Sequence, residues 1–259
     1  MKNPINSSKI QIMPCLDMQN GRVVKGVNFE HIKDAGDPVE CCRAYCQAGA
    51  DQLALLDITA TVEGRSTMLE TVRKVAHEAT IPFTVGGGIS DLHSASSVLN
   101  AGADKISISS SAFRNPQVIR DMVDRFGSDR VTVAVDAARN NAMPSGYEVY
   151  IDGGRTATNT DAIEWIKRVD GFGVATILPT SKSTDGVKTG YDLPLIEKAR
   201  QAASVAEIVA SGGAGTLEHF LDAVKAGANV LLAASVFHFK LISIPELKQY
   251  LKNNGCNVG

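Results

Sequence analysis

Short apolar runs alternate along this chain with longer stretches in which apolar residues recur every three or four positions. The short runs predict eight strands, near residues 11–16, 52–57, 81–85, 104–109, 130–135, 174–179, 206–210 and 229–233. The longer stretches, such as MLETVRKVAHEA and PQVIRDMVDRF, place their apolar residues on one helical face. Residues with helix-capping side chains precede four of the predicted helices: Thr67, Asn115 (with Pro116 as the first helical residue), Asp192 and Ser243.

Strand followed by helix, repeated eight times without a linker rich in Pro or Ser, is typical of a closed barrel. We therefore expect an α/β protein with one (β/α)8 TIM-barrel domain over residues 1–259, in which residues 1–9 form a flexible tail. Two long segments interrupt the alternation. The segment after the first strand predicts a loop ending at Pro38, and YEVYIDGGRTAT after the fifth predicts a hairpin. Both follow strands, so both belong to the catalytic face.

A block of sequence recurs at an offset of 125 residues, from 87 to 212. Gly87-Gly88 aligns with Gly212-Gly213, and the turn AGAD at 101–104 aligns with AGAN at 226–229. Because the offset is close to half the chain, we expect a half-barrel repeat whose two copies lie on opposite sides of the mouth. The AGAD turn occurs again at 48–51, where it is expected to end a helix and lead into a strand.

The repeated glycine loops predict two phosphate sites. Glycine lets backbone N–H groups approach an anion, and the next strand in each half ends in serines that add hydroxyl donors. Each loop read alone is also compatible with a plain tight turn, and barrels commonly bind phosphate after the seventh and eighth strands. The candidate residues are Gly87, Gly88, Ser109 and Ser110 in one half, and Ser211, Gly212, Gly213, Ala234 and Ser235 in the other.

Two acidic residues end matched strands, Asp17 the first and Asp136 the fifth. A single such residue can simply cap a loop, but two carboxylates facing each other across a cavity can act as general acid and general base. Further polar candidates at this face are expected to bind or orient the substrate: Lys25, Asp57, Thr180, Asp185 and Gly186.

The composition of the chain argues against a nucleic-acid-binding or membrane protein. A net charge of −2 offers no basic face for nucleic acid, and neither an apolar run of membrane length nor a signal peptide is evident, so we expect a cytoplasmic enzyme. Cys42 and Cys46 stand four residues apart, but no histidine or carboxylate cluster accompanies them. All the cysteines are therefore expected to be small core residues rather than metal ligands: Cys15, Cys41, Cys42, Cys46 and Cys256. The residues thus predict an enzyme without metal or cofactor that acts on an elongated substrate with a phosphate at each end.

The segments PCLDMQNGRVVKGVNF, LLDITAT, IPFTVGGGI, TDGVKTGYD and ASGGAGTLEHF closely resemble the cyclase subunits of imidazole glycerol phosphate synthase. The resemblance runs from about Ile12 to the C-terminus. It implies a lyase of histidine biosynthesis that receives ammonia from a glutaminase partner in a heterodimer. The ammonia reacts with phosphoribulosyl-formimino-aminoimidazole carboxamide ribonucleotide and gives imidazole glycerol phosphate and aminoimidazole carboxamide ribonucleotide. It also implies Asp17 and Asp136 as acid and base, and Lys25 on a mobile loop.

The chain departs from that family's pattern at several positions. A charged ring is common at the family's N-terminal barrel face, whereas the matching residues here are Gln11, Gln52, Lys105 and Thr176, which puts a salt-bridge gate in doubt. Ser109 replaces a usual Asn, and Pro179 and Lys182 stand where apolar residues are common.

Three alternatives stay open. These are the isomerase of the preceding step, whose barrel also uses two aspartates, a cyclase-like paralogue of amidino-sugar synthesis, and a scaffold that only activates a glutaminase.

Overall fold

The structure is a computed structural model that describes residues 9–19, 21–27, 30–58 and 69–259, with the side chains of 25–27 and 30–35 outside that description. The expected tail, apart from Lys9, and the expected cap Thr67 lie outside the described residues. Twelve strands fall within these ranges: β1 (Gln11–Gln19), β2 (Arg22–Val27), β3 (Glu30–Gly36), β4 (Leu53–Asp57), β5 (Phe83–Gly86), β6 (Lys105–Ile108), β7 (Val131–Arg139), β8 (Tyr147–Ile151), β9 (Thr156–Asp161), β10 (Thr176–Ser181), β11 (Glu207–Ala210) and β12 (Val230–Ala233).

The helices described between them follow most of the predicted amphipathic stretches. They are α1 (Pro38–Gln47), α2 (Leu69–Glu78), α3 (Leu92–Asn100), α4 (Ser110–Arg114), α5 (Gln117–Phe126), α6 (Ala162–Asp170), α7 (Leu193–Ala202), α8 (Leu217–Lys225), α9 (Ser235–His238) and α10 (Ile244–Asn253). None of the helices in the described ranges is long and apolar enough to cross a membrane.

Eight strands close into the predicted barrel. In order around the barrel they are β1, β4, β5, β6, β7, β10, β11 and β12, all paired in parallel, and β12 closes the ring on β1. All eight overlap the eight runs predicted from the sequence. This order places β7 opposite β1 and β11 opposite β5, so the two copies of the glycine block lie across the mouth from each other, as the repeat predicts.

Apolar side chains fill two layers. Residues that point into the barrel form a small cluster: Met13, Cys15, Ala54, Leu178, Val209, Val230 and Leu232. The larger cluster lies between the strands and the surrounding helices, where Leu53, Ile119 and Phe220 are fully buried. Each such side chain contributes about 1.5–3 kcal/mol on burial, which makes this outer layer the main source of stability.

Two antiparallel hairpins extend the barrel at its catalytic face. β8 and β9 form the predicted hairpin and add to β7. The prediction of a loop after β1 is wrong, because β2 and β3 also form a hairpin, which adds to β1 in the same way. The sequence does not predict this hairpin because residues 22–36 include many charged residues and show little alternation of apolar and polar positions. Lys25 therefore lies on β2, and not in a loop.

Three helix starts test the capping predictions. Ser243 caps α10 in a capping box with Glu246, as predicted. The predicted start of α5 is wrong by one residue, because Pro116 occupies the capping position and Gln117 begins the helix. Asp192 stands at the capping position of α7, but its side chain makes no capping bond. Its buried carboxylate instead accepts hydrogen bonds elsewhere, among them one from Tyr147 Oη at 2.7 Å.

The AGAD turns play the predicted structural role at the N-terminal face. Gly49, Gly102 and Gly227 follow helix ends with positive φ values of 80°, 111° and 104°. The last side chain of each turn accepts a hydrogen bond near the start of the barrel strand that comes before it in the barrel order. Asp51 accepts from the Ile12 N–H at 2.9 Å, and Asp104 accepts from the Phe83 N–H at 2.9 Å. Asn229 does the same for Ile208 at 3.0 Å.

Candidate active site

A cavity opens at the C-terminal ends of the barrel strands. Its lining includes both predicted catalytic residues, Asp17 from β1 and Asp136 from β7. Because β1 and β7 are opposite strands of the barrel, the two carboxylates approach the cavity from facing sides.

Asp17 is positioned by two neighbouring strands and by a thiol. Its Cα pairs with that of Val24 on β2 and with that of Leu56 on β4. The Cys15 thiol, two residues earlier on the same face of β1, donates to Asp17 Oδ1 at 3.3 Å. Cys15 lines the cavity and is buried, so this cysteine is part of the site wall and not merely of the outer core.

Asp136 is placed in a matching way on the other side. It pairs with Tyr150 of β8 and with Thr180 of β10. Burial raises the pKa of Asp136 to about 6, the nearby negative charge of Asp185 adds to the rise, and Lys182 acts against it. A carboxyl group with a pKa near neutrality can both accept and return a proton at physiological pH, which suits general acid–base chemistry.

The candidate residues of the second half-barrel meet at this cavity. Its lining includes all of them: Thr180, Asp185, Gly186, Ser211, Gly212, Gly213, Ala234 and Ser235. Asp185, a predicted substrate-binding or orienting residue, borders the cavity and also raises the pKa of Asp136. Gly213 also has a steric reason to be glycine, since a Cβ built there would lie 2.1 Å from the Gly190 carbonyl oxygen.

The candidate residues of the first half-barrel are not in the described lining of this cavity: Lys25, Asp57, Gly87, Gly88, Ser109 and Ser110. A Cβ on Gly87 would lie 2.4 Å from the Asp57 carbonyl oxygen, so close backbone approach alone requires glycine there. The Ser110 hydroxyl accepts from the Asp152 N–H at 2.9 Å, which ties it to the β8–β9 hairpin. The Lys25 side chain lies outside the described residues. The second phosphate site thus stays a prediction from the repeat.

Sequence reasoning missed several lining residues. Cys15, Ser107 and Lys188 all border the cavity. Ser107 and Cys15 occupy alternating, inward-facing positions of their strands, so period-two alternation within each barrel strand was the signal that could have found them. Within the described ranges, no cluster of three or more His, Cys, Asp or Glu side chains is arranged to hold a metal ion.

The opposite face of the barrel brings together three of the four ring positions. Gln52 Nε2 donates to Gln11 Oε1 at 2.7 Å, and Lys105 Nζ donates to Gln52 Oε1 at 3.4 Å. Thr176 is buried at the start of β10. The interactions that the structure describes among these positions are thus one hydrogen bond between two neutral amides and one from an ammonium to an amide.

The closed barrel and the two acids at its mouth are the features of a (β/α)8-barrel enzyme. The chain matches the model of the histidine biosynthesis protein family over residues 11–243. The imidazole glycerol phosphate synthase subunit HisF of Corynebacterium glutamicum is 48% identical over 253 residues, covering 96% of this chain and 98% of that protein. The HisF subunit of Wolinella succinogenes is 50% identical over 248 residues, covering 96% and 97%.

The chain therefore belongs to the histidine biosynthesis protein family and groups with its HisF subunits, which are enzymes of the lyase type.

Proposed function

We propose that this chain is the cyclase subunit of imidazole glycerol phosphate synthase. It uses ammonia to convert phosphoribulosyl-formimino-aminoimidazole carboxamide ribonucleotide into imidazole glycerol phosphate and aminoimidazole carboxamide ribonucleotide. The observation that carries the proposal is the facing pair Asp17 and Asp136 in one cavity at the barrel mouth. It agrees with the names of relatives about half identical over nearly the whole chain.

The acid–base assignment follows from the surroundings of the two carboxylates. Cleavage and ring closure both require a proton to be given at one place and taken at another. Asp136 has a pKa of about 6 because of its burial and the nearby Asp185, so it changes its protonation state readily near neutral pH. Asp17, held by the Cys15 thiol, supplies the second carboxylate on the facing wall.

The phosphate assignment is better supported in the second half-barrel. Ser211, Gly212, Gly213 and Ser235 border the same cavity as the acids. Their backbone N–H groups and hydroxyls are the donors that a phosphate dianion requires. The second phosphate of the substrate is assigned to the loops after β5 and β6, with Gly87, Gly88, Ser109 and Ser110, on the strength of the repeat.

Ammonia supply calls for a partner. The relatives are named as subunits, and we propose that this chain likewise pairs with a glutaminase at the N-terminal barrel face. Ammonia then passes by Gln11, Gln52 and Lys105 toward the cavity. Among the described residues, Gln52 bonds to Gln11 and to Lys105, and we propose that ammonia passes them without a salt-bridge gate.

The test is direct. Purified chain is given the ribulosyl substrate with ammonium salt at pH about 8.5, and imidazole glycerol phosphate is quantified. We expect both products in equal amounts, and none from an Asp17→Asn/Asp136→Asn double variant prepared in parallel. A wild-type chain that folds but forms no product would refute the proposal, and product from the double variant would point to a contaminating enzyme. A chain that activates a glutaminase while forming no product would identify the scaffold alternative.

A further inference from the structure

The wall beside Asp136 carries a lysine whose position is fixed by the strand register. Asp136 pairs with Tyr150 on one side and with Thr180 on the other. Directly paired residues of neighbouring strands point to the same face of a sheet, so all three face the cavity side. Lys182 follows Thr180 by two residues, and its N–H donates to the Ala137 carbonyl at 2.9 Å, which continues the β7–β10 ladder. The side chain of Lys182 is therefore on the face that Asp136 occupies.

The ammonium group of Lys182 is held in place. Lys182 Nζ lies 3.7 Å from the centroid of the Tyr150 ring, a close cation–π contact. The backbone of Gly154, at the tip of the β8–β9 hairpin, covers the aliphatic part, since a Cβ built on Gly154 would lie 3.3 Å from Lys182 Cε. Lys182 is half-buried, so its charge is screened less than that of a fully exposed lysine. The hairpin thus fixes a positive charge beside Asp136.

We propose that Lys182, held against the Tyr150 ring, is a positioning residue whose ammonium keeps the Asp136 carboxylate charged and ready to accept a proton. The inference rests on the proposed function, because it concerns the acid–base role of Asp136 in that reaction. Lys182 acts through Asp136 and need not touch the substrate.

The other titratable groups on the cavity or its wall do not supply this charge. They come from β1, β8 and the loop after β10: Cys15, Asp17, Glu148, Tyr150, Asp185 and Lys188. The Cys15 thiol is a neutral donor to Asp17. Asp17, Asp185 and Glu148 are acids, and Glu148 is engaged with Asn140 Nδ2 at 2.8 Å and the Asn159 N–H at 2.7 Å. Lys188 Nζ lies 5.7 Å from the Phe239 ring, which is exposed. Lys182 therefore offsets the negative charge of Asp185 at Asp136, and Lys182 and Asp185 act on its pKa in opposite directions.

The closing experiment measures Asp136 itself, in the whole chain and without substrate. Carboxyl-carbon NMR of protein labelled at aspartate, assigned with Asp136→Asn, gives the midpoint of its titration. In Lys182→Met we expect that midpoint to rise by about 0.5–1 pH unit, because a nearby cation has been removed. Lys182→Arg should keep the wild-type midpoint, and so should Tyr150→Phe, which retains the ring face.

A matched control uses another lysine that contacts a tyrosine of β8. Lys198 Nζ lies 5.8 Å from the Tyr147 ring and is exposed on α7. Lys198→Met removes the same charge and should leave the Asp136 midpoint unchanged. An equal midpoint in wild type and Lys182→Met would overturn the proposal, as would a shift of the same size in Lys198→Met. If Lys182→Met does not fold, Lys182→Gln serves the same comparison.

Turnover gives the second readout. The ratio of Lys182→Met to wild-type kcat is taken at each pH, so that the protonation of ammonia itself cancels. We expect a ratio near one at pH 8.5 that falls by about twofold to fivefold near pH 6. A ratio that does not change with pH would overturn the proposal while leaving the cyclase function intact. A wild-type chain without turnover would instead refute the proposed function, and the NMR titration would still decide the role of Lys182.

Discussion

Replacing Asp136 with Asn should make the protein more stable. The pKa of this carboxyl rises from 3.8 to about 6 on folding, because burial and the neighbouring Asp185 both disfavour its charged form. Its ionised state therefore weakens the fold. A rise of about two units corresponds to about 3 kcal/mol as an upper limit. Because the side chain faces an open cavity and is partly exposed, we expect about 1–2 kcal/mol.

The pH dependence has a defined sign. Below the unfolded pKa of about 4 the carboxyl is protonated in both states, and its ionisation costs nothing. The cost grows between about pH 4 and 6 and is complete above the folded value. The stability gain of Asp136→Asn over wild type should therefore be full at pH 7.5 and about half as large at pH 5. Urea unfolding at the two pH values measures both differences.

A second buried aspartate provides the control with the opposite sign. Burial alone would raise the pKa of Asp170, but hydrogen bonds from the backbone of Ala206, Ser204 and Val205 lower it overall. Asp170→Asn should thus lose about 2 kcal/mol or more at pH 7.5. If Asp136→Asn were destabilised like Asp170→Asn, or if its gain in unfolding free energy were as large at pH 5 as at pH 7.5, ionised Asp136 would not destabilise the fold and the reasoning would be wrong.

Further variants test the geometry around the site. Gly213→Ala should destabilise the fold by more than about 2 kcal/mol in urea unfolding, because its Cβ would collide with the Gly190 carbonyl, whereas Gly49→Ala, with open space around it, should cost about 1 kcal/mol. Equal losses would contradict the steric account. Arg114→Ala removes a partly exposed ion pair to Asp152 with an N–O distance of 2.7 Å, and should cost at most about 1 kcal/mol. A loss of several kcal/mol would show that the hairpin tip is essential to the fold.

Much of the barrel is readable from the sequence because the strands are short apolar runs bounded by clear turns. All eight predicted runs became barrel strands, and the glycine repeat placed its two copies on opposite sides. The hairpin of β2 and β3 could not be predicted from the sequence. Backbone hydrogen bonds to β1 hold it, and such bonds leave no apolar pattern in the sequence. Its strands need no continuous apolar face to form.

The sequence predicts the two acids of the candidate site and the loops after β11 and β12. Aspartates at strand ends and repeated glycines can be recognised in a sequence, and Asp17 and Asp136 do line one cavity. The charge environment was not visible, because it depends on which side chains a closed ring and a hairpin bring together. The contact between Lys182 and Tyr150 joins residues 32 positions apart through two strand registers. The same limit applies to Asp192, whose position predicts a helix cap but whose carboxylate accepts from Tyr147 instead.

The central claim is that Asp17 and Asp136 carry out the proton transfers of an ammonia-dependent cyclase. The most direct measurement determines kcat with ammonium, and the dissociation constant of the substrate, for wild type and for the Asp17→Asn and Asp136→Asn variants. We predict that each variant loses at least about 10²-fold in kcat while its substrate dissociation constant stays within about threefold of wild type. An unchanged kcat in either variant would contradict the claim, and a loss that lies wholly in the dissociation constant would reduce that aspartate to a binding residue.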